Sequence, residues 1–228
     1  MTAWLNGTLA VLQKDLLLEL RSRYALNTLG VFVLSTLLLV MLAAGQAAPS
    51  ARLHAGLLWI VILFAGALGL GRSFVAEQEG GTAFLLRLHA RPSVVYAGKL
   101  CFGILLMLTI NAATSLAFIV LLGLEVAAPG LFAVSLVLGT LGLVGATTLL
   151  SAIIARTRRS GPLLPMLLFP LLVPLLLSAV RATEYSLAAP PFTGGPWANS
   201  LESLVAMTSY AGVVITASVL LFDYVWSD

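Results

Sequence analysis

With 228 residues, 60% apolar and only 9% charged, and a mean hydropathy of +1.06, the chain falls far short of the roughly one-quarter charged fraction of a water-soluble domain. Its net charge of +3 does not signal nucleic-acid binding, because the basic residues sit at the ends of apolar runs without interleaved aromatics. A single cysteine, Cys101, excludes an intrachain disulfide framework and a cysteine metal cage.

The chain opens on WLNGTLAVLQKDLLLELRSR, residues 4–23. Trp4, Leu5, Leu9, Leu12, Leu16 and Leu20 fall at helical spacing there, and Lys14, Asp15, Glu19, Arg21 and Arg23 lie largely elsewhere on the surface. This pattern predicts an amphipathic interfacial helix over 1–24. A cleavable signal peptide would carry its charges before a short apolar core and a small-residue cleavage site after it, so the segment is expected to stay attached.

Residues 25–228 read as a six-helix transmembrane domain, with spans predicted at 25–45, 55–74, 99–123, 131–154, 162–181 and 203–225. Each run is long enough to cross the hydrocarbon. None shows the two-residue alternation of barrel strands, and backbone groups in lipid must bond internally, so the expected fold class is an all-α membrane protein.

Lys14, Arg21, Arg23, Arg72, Arg87, Arg91, Lys99, Arg156, Arg158 and Arg159 fall on one side of a six-span arrangement, and Arg52 and Arg181 on the other. That bias places both termini in the cytoplasm of a bacterial inner membrane, a multi-pass topology.

The loop between spans two and three, 72–99, is the longest inner segment and reads as a small element of its own. Gly80 and Gly81 permit a turn, Thr82 can cap, and residues 83–90 make a short helix that presents Phe84, Leu85 and Leu88 to a partner before Pro92 stops it. A solvated or membrane-lying loop is the alternative.

Glycines stand out in span two (Gly66, Gly69, Gly71) and span four (Gly139, Gly142, Gly145), where small residues mark close helix packing. Asn111, Thr114, Thr147, Thr148 and Ser151 are polar residues placed within spans, and none of them is ionisable, so no intramembrane ion relay is expected. Span five carries Pro162, Pro165, Pro170 and Pro174, which predicts a broken helix around 169–174, with Pro170 and Pro174 as a candidate hinge. The outer segment 183–200 reads as a lid or as a plain loop. His54 and His89 fall on opposite membrane faces, so they cannot share one metal.

No GxxxxGK[ST] phosphate cradle occurs, because Gly98-Lys99 lacks both the upstream glycines and the following hydroxyl. No nucleophile with a neighbouring base and no HExxH is present either, so no catalytic residue or metal ligand is assigned. Any ATP is expected to be bound by a partner subunit.

Three segments, KDLLLELRSR at 14–23, LGRSFVAEQEGGTAFLLRLHARPSVVYAGK at 70–99 and LFPLLVPLLLS at 168–178, in this order and with the ending LFDYVW, resemble the CcmB family. That family is the haem exporter protein B group, the membrane permease of the cytochrome c maturation ABC transporter. The resemblance covers nearly the full chain. It implies a transport subunit rather than an enzyme, working with a CcmA-like ATP-binding subunit and with CcmC-like and CcmD-like membrane proteins. It also implies haem as cargo, passed on to a CcmE-like periplasmic chaperone. By the same resemblance Glu77, Glu79, Gly81, Thr82, Phe84 and Leu85 inherit the contact with the ATPase. The wider class often has an acidic residue and leucine after the Gly-Thr pair, where this chain has Ala83 and Phe84.

Two other readings share these features. One is an ABC exporter permease for a drug, lipid or polysaccharide; the other is a non-transporting scaffold that gathers haem-assembly proteins. Neither involves nucleic acid, and both imply contact with membrane lipid.

Overall fold

The computed structural model describes residues 2–44, 50–70, 91–154, 163–187 and 194–227. Among them are seven helices and no strand: α1 (Thr2–Ser22), α2 (Tyr24–Ala44), α3 (Ala51–Leu70), α4 (Pro92–Leu122), α5 (Pro129–Ile154), α6 (Leu163–Leu187) and α7 (Gly195–Ser227). Six of these, α2 to α7, are long and apolar enough to cross a membrane.

Helix α5 is the centre, with two-thirds of its span buried. It packs on α7, α6, α4 and α3, whereas α2 lies outside against α3 and α4. The glycines make this possible. A Cβ on Gly139 would stand 2.0 Å from the Trp59 ring of α3, one on Gly142 2.8 Å from Leu175 of α6, and one on Gly145 3.0 Å from Ile215 of α7. Gly66 of α3 receives Leu143 in return, and Gly69 receives Leu29 of α2. Small residues at helix contacts let backbones approach closely in lipid, so Gly66, Gly69, Gly139, Gly142 and Gly145 are packing notches, as expected from sequence, and Gly71 lies outside the described residues.

Several polar atoms in the interior are satisfied locally or across one contact, whereas Thr8 Oγ1, Asn111 Oδ1 and Ser115 Oγ are buried without a hydrogen-bond partner. Trp59 Nε1 donates to Thr183 Oγ1 at 2.9 Å, and Asn111 Nδ2 donates to Thr140 Oγ1 at 2.8 Å. Ser135, Thr140 and Ser218 donate to carbonyls one turn back in their own helices. Water is absent from the hydrocarbon, so such bonds remove a cost of several kcal/mol, roughly, per group.

The start of α4, the course and end of α6 and the start of α7 differ from the sequence expectation, whereas the end of α4 agrees with it. Pro92 does not end a helix; it starts α4, with Arg91 extended before it (φ −64°, ψ 145°). A proline at the first helical position loses a hydrogen bond that would have been unmade anyway. The far end of α4 is set by Gly123, whose left-handed φ of 61° lets the Leu124 amide reach back to the Ile119 carbonyl at 3.0 Å.

Helix α6 runs unbroken through Pro170 and Pro174, where a break was expected. Each proline removes only its own donor, and the carbonyl of Leu171, beside the Pro174 gap, accepts the Tyr210 hydroxyl of α7 at 2.9 Å. Finally, α6 continues to Leu187 and α7 begins at Gly195, so most of the expected outer loop at 183–200 is helix, with 188–193 outside the described residues.

Candidate functional site

The expected ATPase-contact residues Glu77, Glu79, Gly81, Thr82, Phe84, Leu85 and Leu88, and His89 with them, lie outside the described residues. What the structure does describe is the frame around them: α3 up to Leu70, α4 from Pro92, and α1 beside α4.

Helix α4 extends well beyond its contact with the last described turn of α3. Leu70 packs against Gly103, where a Cβ would meet it at 3.2 Å, and α4 begins at Pro92. At a rise of 1.5 Å per residue, about 16 Å of α4 therefore projects past that contact. The whole of α4 spans 31 residues, or about 46 Å, against a hydrocarbon thickness of about 30 Å. The helix is thus about 16 Å longer than the hydrocarbon is thick.

Helix α1 covers this projection and runs in the same chain direction. Trp4 Nε1 donates to Ser93 Oγ at 3.3 Å. Gly7 meets Val94 and Gly98 meets Val11, both at distances that would leave no room for a Cβ (2.9 and 2.6 Å). Lys99 Nζ donates to Asp15 Oδ2 at 3.0 Å, and Lys14 Nζ lies 3.1 Å from the other carboxylate oxygen. Lys99 and Asp15 are both buried, at 3% and 7% exposure. On the opposite flank Tyr96 packs its ring against Phe222 of α7, with centroids 5.1 Å apart.

This seam corrects two sequence expectations. Asp15 is not on an outward polar face; with Thr8 and Val11 it forms the stripe that α1 buries. Lys99 is not in a loop, and it makes the base of α4 a place where an ionisable pair is buried. The leucine face of α1 behaves otherwise: Leu5, Leu9, Leu16 and Leu20 are exposed on the chain.

The joint between α1 and α2 is tight. Arg23 sits in the left-handed region (φ 50°), and Glu19 Oε1 accepts the Leu26 amide at 2.9 Å, capping the start of α2.

The opposite end of the bundle is built differently. Arg52 at the start of α3, Arg181, Glu184 and Tyr185 late in α6, and Asn199, Glu202 and Ser203 early in α7 line a polar cavity of about 300 Å³. Arg52 Nε approaches Glu184 Oε2 at only 3.9 Å, with side-chain exposures of 71% and 30%. His54, two residues on from Arg52, is buried and packs edge-on against Phe118. Among the described residues no group of three or more His, Cys, Asp or Glu is arranged to hold a metal. The sequence pattern marked Arg52 and Arg181 as the two outer cations but gave no sign that they meet at one cavity.

Comparison with known proteins covers the chain almost end to end. The family model described as CcmB protein matches residues 6–226. A protein named heme exporter protein B from Bradyrhizobium diazoefficiens is 30% identical, over 86% of this chain and 91% of its own length. Proteins of the same name from Rhodobacter capsulatus and Pseudomonas aeruginosa are 36% and 31% identical, over 74% and 79% of this chain and 78% and 83% of their own lengths.

Proposed function

The chain belongs to the CcmB family, and we propose that it is the membrane permease subunit of an ABC-type transporter of cytochrome c maturation, acting in haem export or in ATP-driven haem handover. Three relatives bearing the name heme exporter protein B, each aligned over most of its length, support that cargo. Haem is cargo in this reading, not a resident cofactor of the chain.

The observation that carries the coupling part is the α1–α4 seam. A partner ATPase, CcmA-like, docks on the loop 71–90 through Glu77, Glu79, Gly81, Thr82, Phe84, Leu85 and Leu88. The loop leads straight into Arg91 and the projecting turns of α4. Because Asp15–Lys99 and the Val11–Gly98 contact fix α1 to those turns, a push on the loop moves α1 and α4 together. Close contacts and a buried ion pair transmit a displacement where a loose loop would absorb it. Pro170 and Pro174 serve as the flexible point of α6. Both termini lie in the cytoplasm by the distribution of basic residues, and CcmC-like and CcmD-like membrane proteins complete the assembly, with a CcmE-like chaperone receiving haem outside.

The test is co-purification from detergent-solubilised membranes with assay of ATPase activity. The wild-type chain brings down an ATP-binding subunit together with cytochrome c assembly proteins, and Phe84→Asp with Leu88→Asp loses the ATPase. An ATPase arriving without assembly proteins would point to an exporter of another cargo. No ATPase with the wild-type chain would leave only the scaffold reading.

A further inference from the structure

Positive charge is selected against on the outer side of a membrane protein, yet Arg52 and Arg181, the two cations that the charge pattern assigns to that side, come from different helices and line one cavity. Their surroundings are of mixed sign. Arg52 faces Glu184 in a long pair, which leaves Arg181 and Glu202, each without an ionic partner among the described residues. Asn199 lines the same cavity, and its Nδ2 is buried with no acceptor. The cavity thus offers one unmatched cation, one unmatched anion and one donor seeking an oxygen.

Below the charges the same faces turn apolar. Leu177 lies one turn inward of Arg181 on α6, and Val205 one turn inward of Glu202 on α7, and both are exposed. Leu53 and Leu201, next to Arg52 and Glu202, are exposed too. A ligand seated in the cavity would have its polar end among the charges and its apolar part along these side chains.

The geometry points to a binding site for a zwitterionic aminophospholipid, with the headgroup phosphate on Arg181 and Asn199 and the ammonium on Glu202. A guanidinium fork matches a phosphate by two parallel bonds, and the terminal torsion of asparagine is soft enough to turn Nδ2 toward a phosphate oxygen. A headgroup with an anion only, such as phosphatidylglycerol, would set its charge against Glu202 with nothing to answer the carboxylate. A cavity of about 300 Å³ has room for a phosphoethanolamine group.

Lipid retained by the full chain after detergent purification, identified by mass spectrometry from membranes containing phosphatidylethanolamine, phosphatidylglycerol and phosphatidylcholine, tests the assignment. Phosphatidylethanolamine is expected to be enriched over its membrane proportion, and Arg181→Ala to lower its retention about tenfold, the size of losing a charge-assisted contact. Arg181→Lys should restore part of it. Glu202→Gln, at an exposed position that the fold does not need, should erase the preference for phosphatidylethanolamine over phosphatidylglycerol. This second variant decides the matter if Arg181→Ala does not fold. Retention in bulk proportion by the wild type, or a lipid profile that neither variant changes, would overturn the proposal. Because the reading is lipid identity, neither outcome depends on ATPase docking or haem.

Discussion

Two ion pairs stand at opposite ends of this bundle, and they share little beyond charge. Asp15–Lys99 closes at 3.0 Å between two helices and is almost wholly buried. Arg52–Glu184 spans 3.9 Å at the lip of a cavity, with Arg52 largely in the open. Taking one partner from a buried pair strands a charge without water, whereas an exposed pair is readily replaced by solvent and salt. The comparison teaches that the first pair is part of how the chain holds its shape, and the second is available for other partners.

The strongest test of that contrast is to cut the inner pair. Lys99→Met alone should destabilise the chain by about 3–5 kcal/mol, because Asp15 is left buried without its main counter-charge. Adding Asp15→Leu should recover most of that loss, since an apolar pair of similar volume costs little at a buried site. Thermal unfolding in detergent, followed by tryptophan fluorescence, compares the single and double variants. A double variant no better than the single would mean that the seam depends on charge itself.

A smaller effect is expected from Gly98→Leu, which drives a side chain into Val11 and the Thr8 carbonyl. Overpacking of this kind costs about 1–3 kcal/mol. Its sharper signature is displacement of α1, read as loss of a disulfide crosslink between cysteines placed at Gly7 and Val94, where a Cβ on Gly7 would stand 4.0 Å from that of Val94. Survival of that crosslink would show that α1 rides over the added bulk.

Tyr210→Phe should cost less again, about 0.6 kcal/mol, the usual worth of one interhelical hydrogen bond in a membrane. Unfolding measurements would detect it, and a much larger loss would show that the hydroxyl braces α6 at Pro174. Smallest of all, Arg52→Ala should stay within about 1 kcal/mol of wild type. The stability difference between these two proteins should shrink further as salt is raised, as screening of exposed charges requires. The Lys99→Met effect should hardly respond to salt.

Much of the architecture could be read directly from the chain. Six apolar runs predict six helices because lipid leaves the backbone no other way to satisfy itself, and Gly139, Gly142 and Gly145 could be recognised as notches because only close packing rewards such a stripe. Helix ends were harder. Hydropathy locates the apolar middle of a span, but α4 and α7 carry their helical form past it, and Pro92 serves equally as a stop or a start until its neighbours are known. Asp15 and Lys99 were beyond reach for a different reason: they are 84 residues apart, and nothing local in either segment announces the other. Arg52 and Arg181 could be sorted by side from sequence, but their meeting at one cavity depends on how α3 and α6 pack.

The glycine notches of α5 also restrict how the bundle can rearrange. Each notch is keyed to a different helix: Trp59 of α3 at Gly139, Leu175 of α6 at Gly142, Ile215 of α7 at Gly145. Sliding α5 along its axis by a single residue, about 1.5 Å, would move all three keys off their slots at once and onto side chains with nowhere to go. The four helices are therefore locked in longitudinal register and shift together as one block. Sliding along the axis is left to α1 and the projecting turns of α4, so the molecule works as a spindle in fixed register with a lever hung on its side.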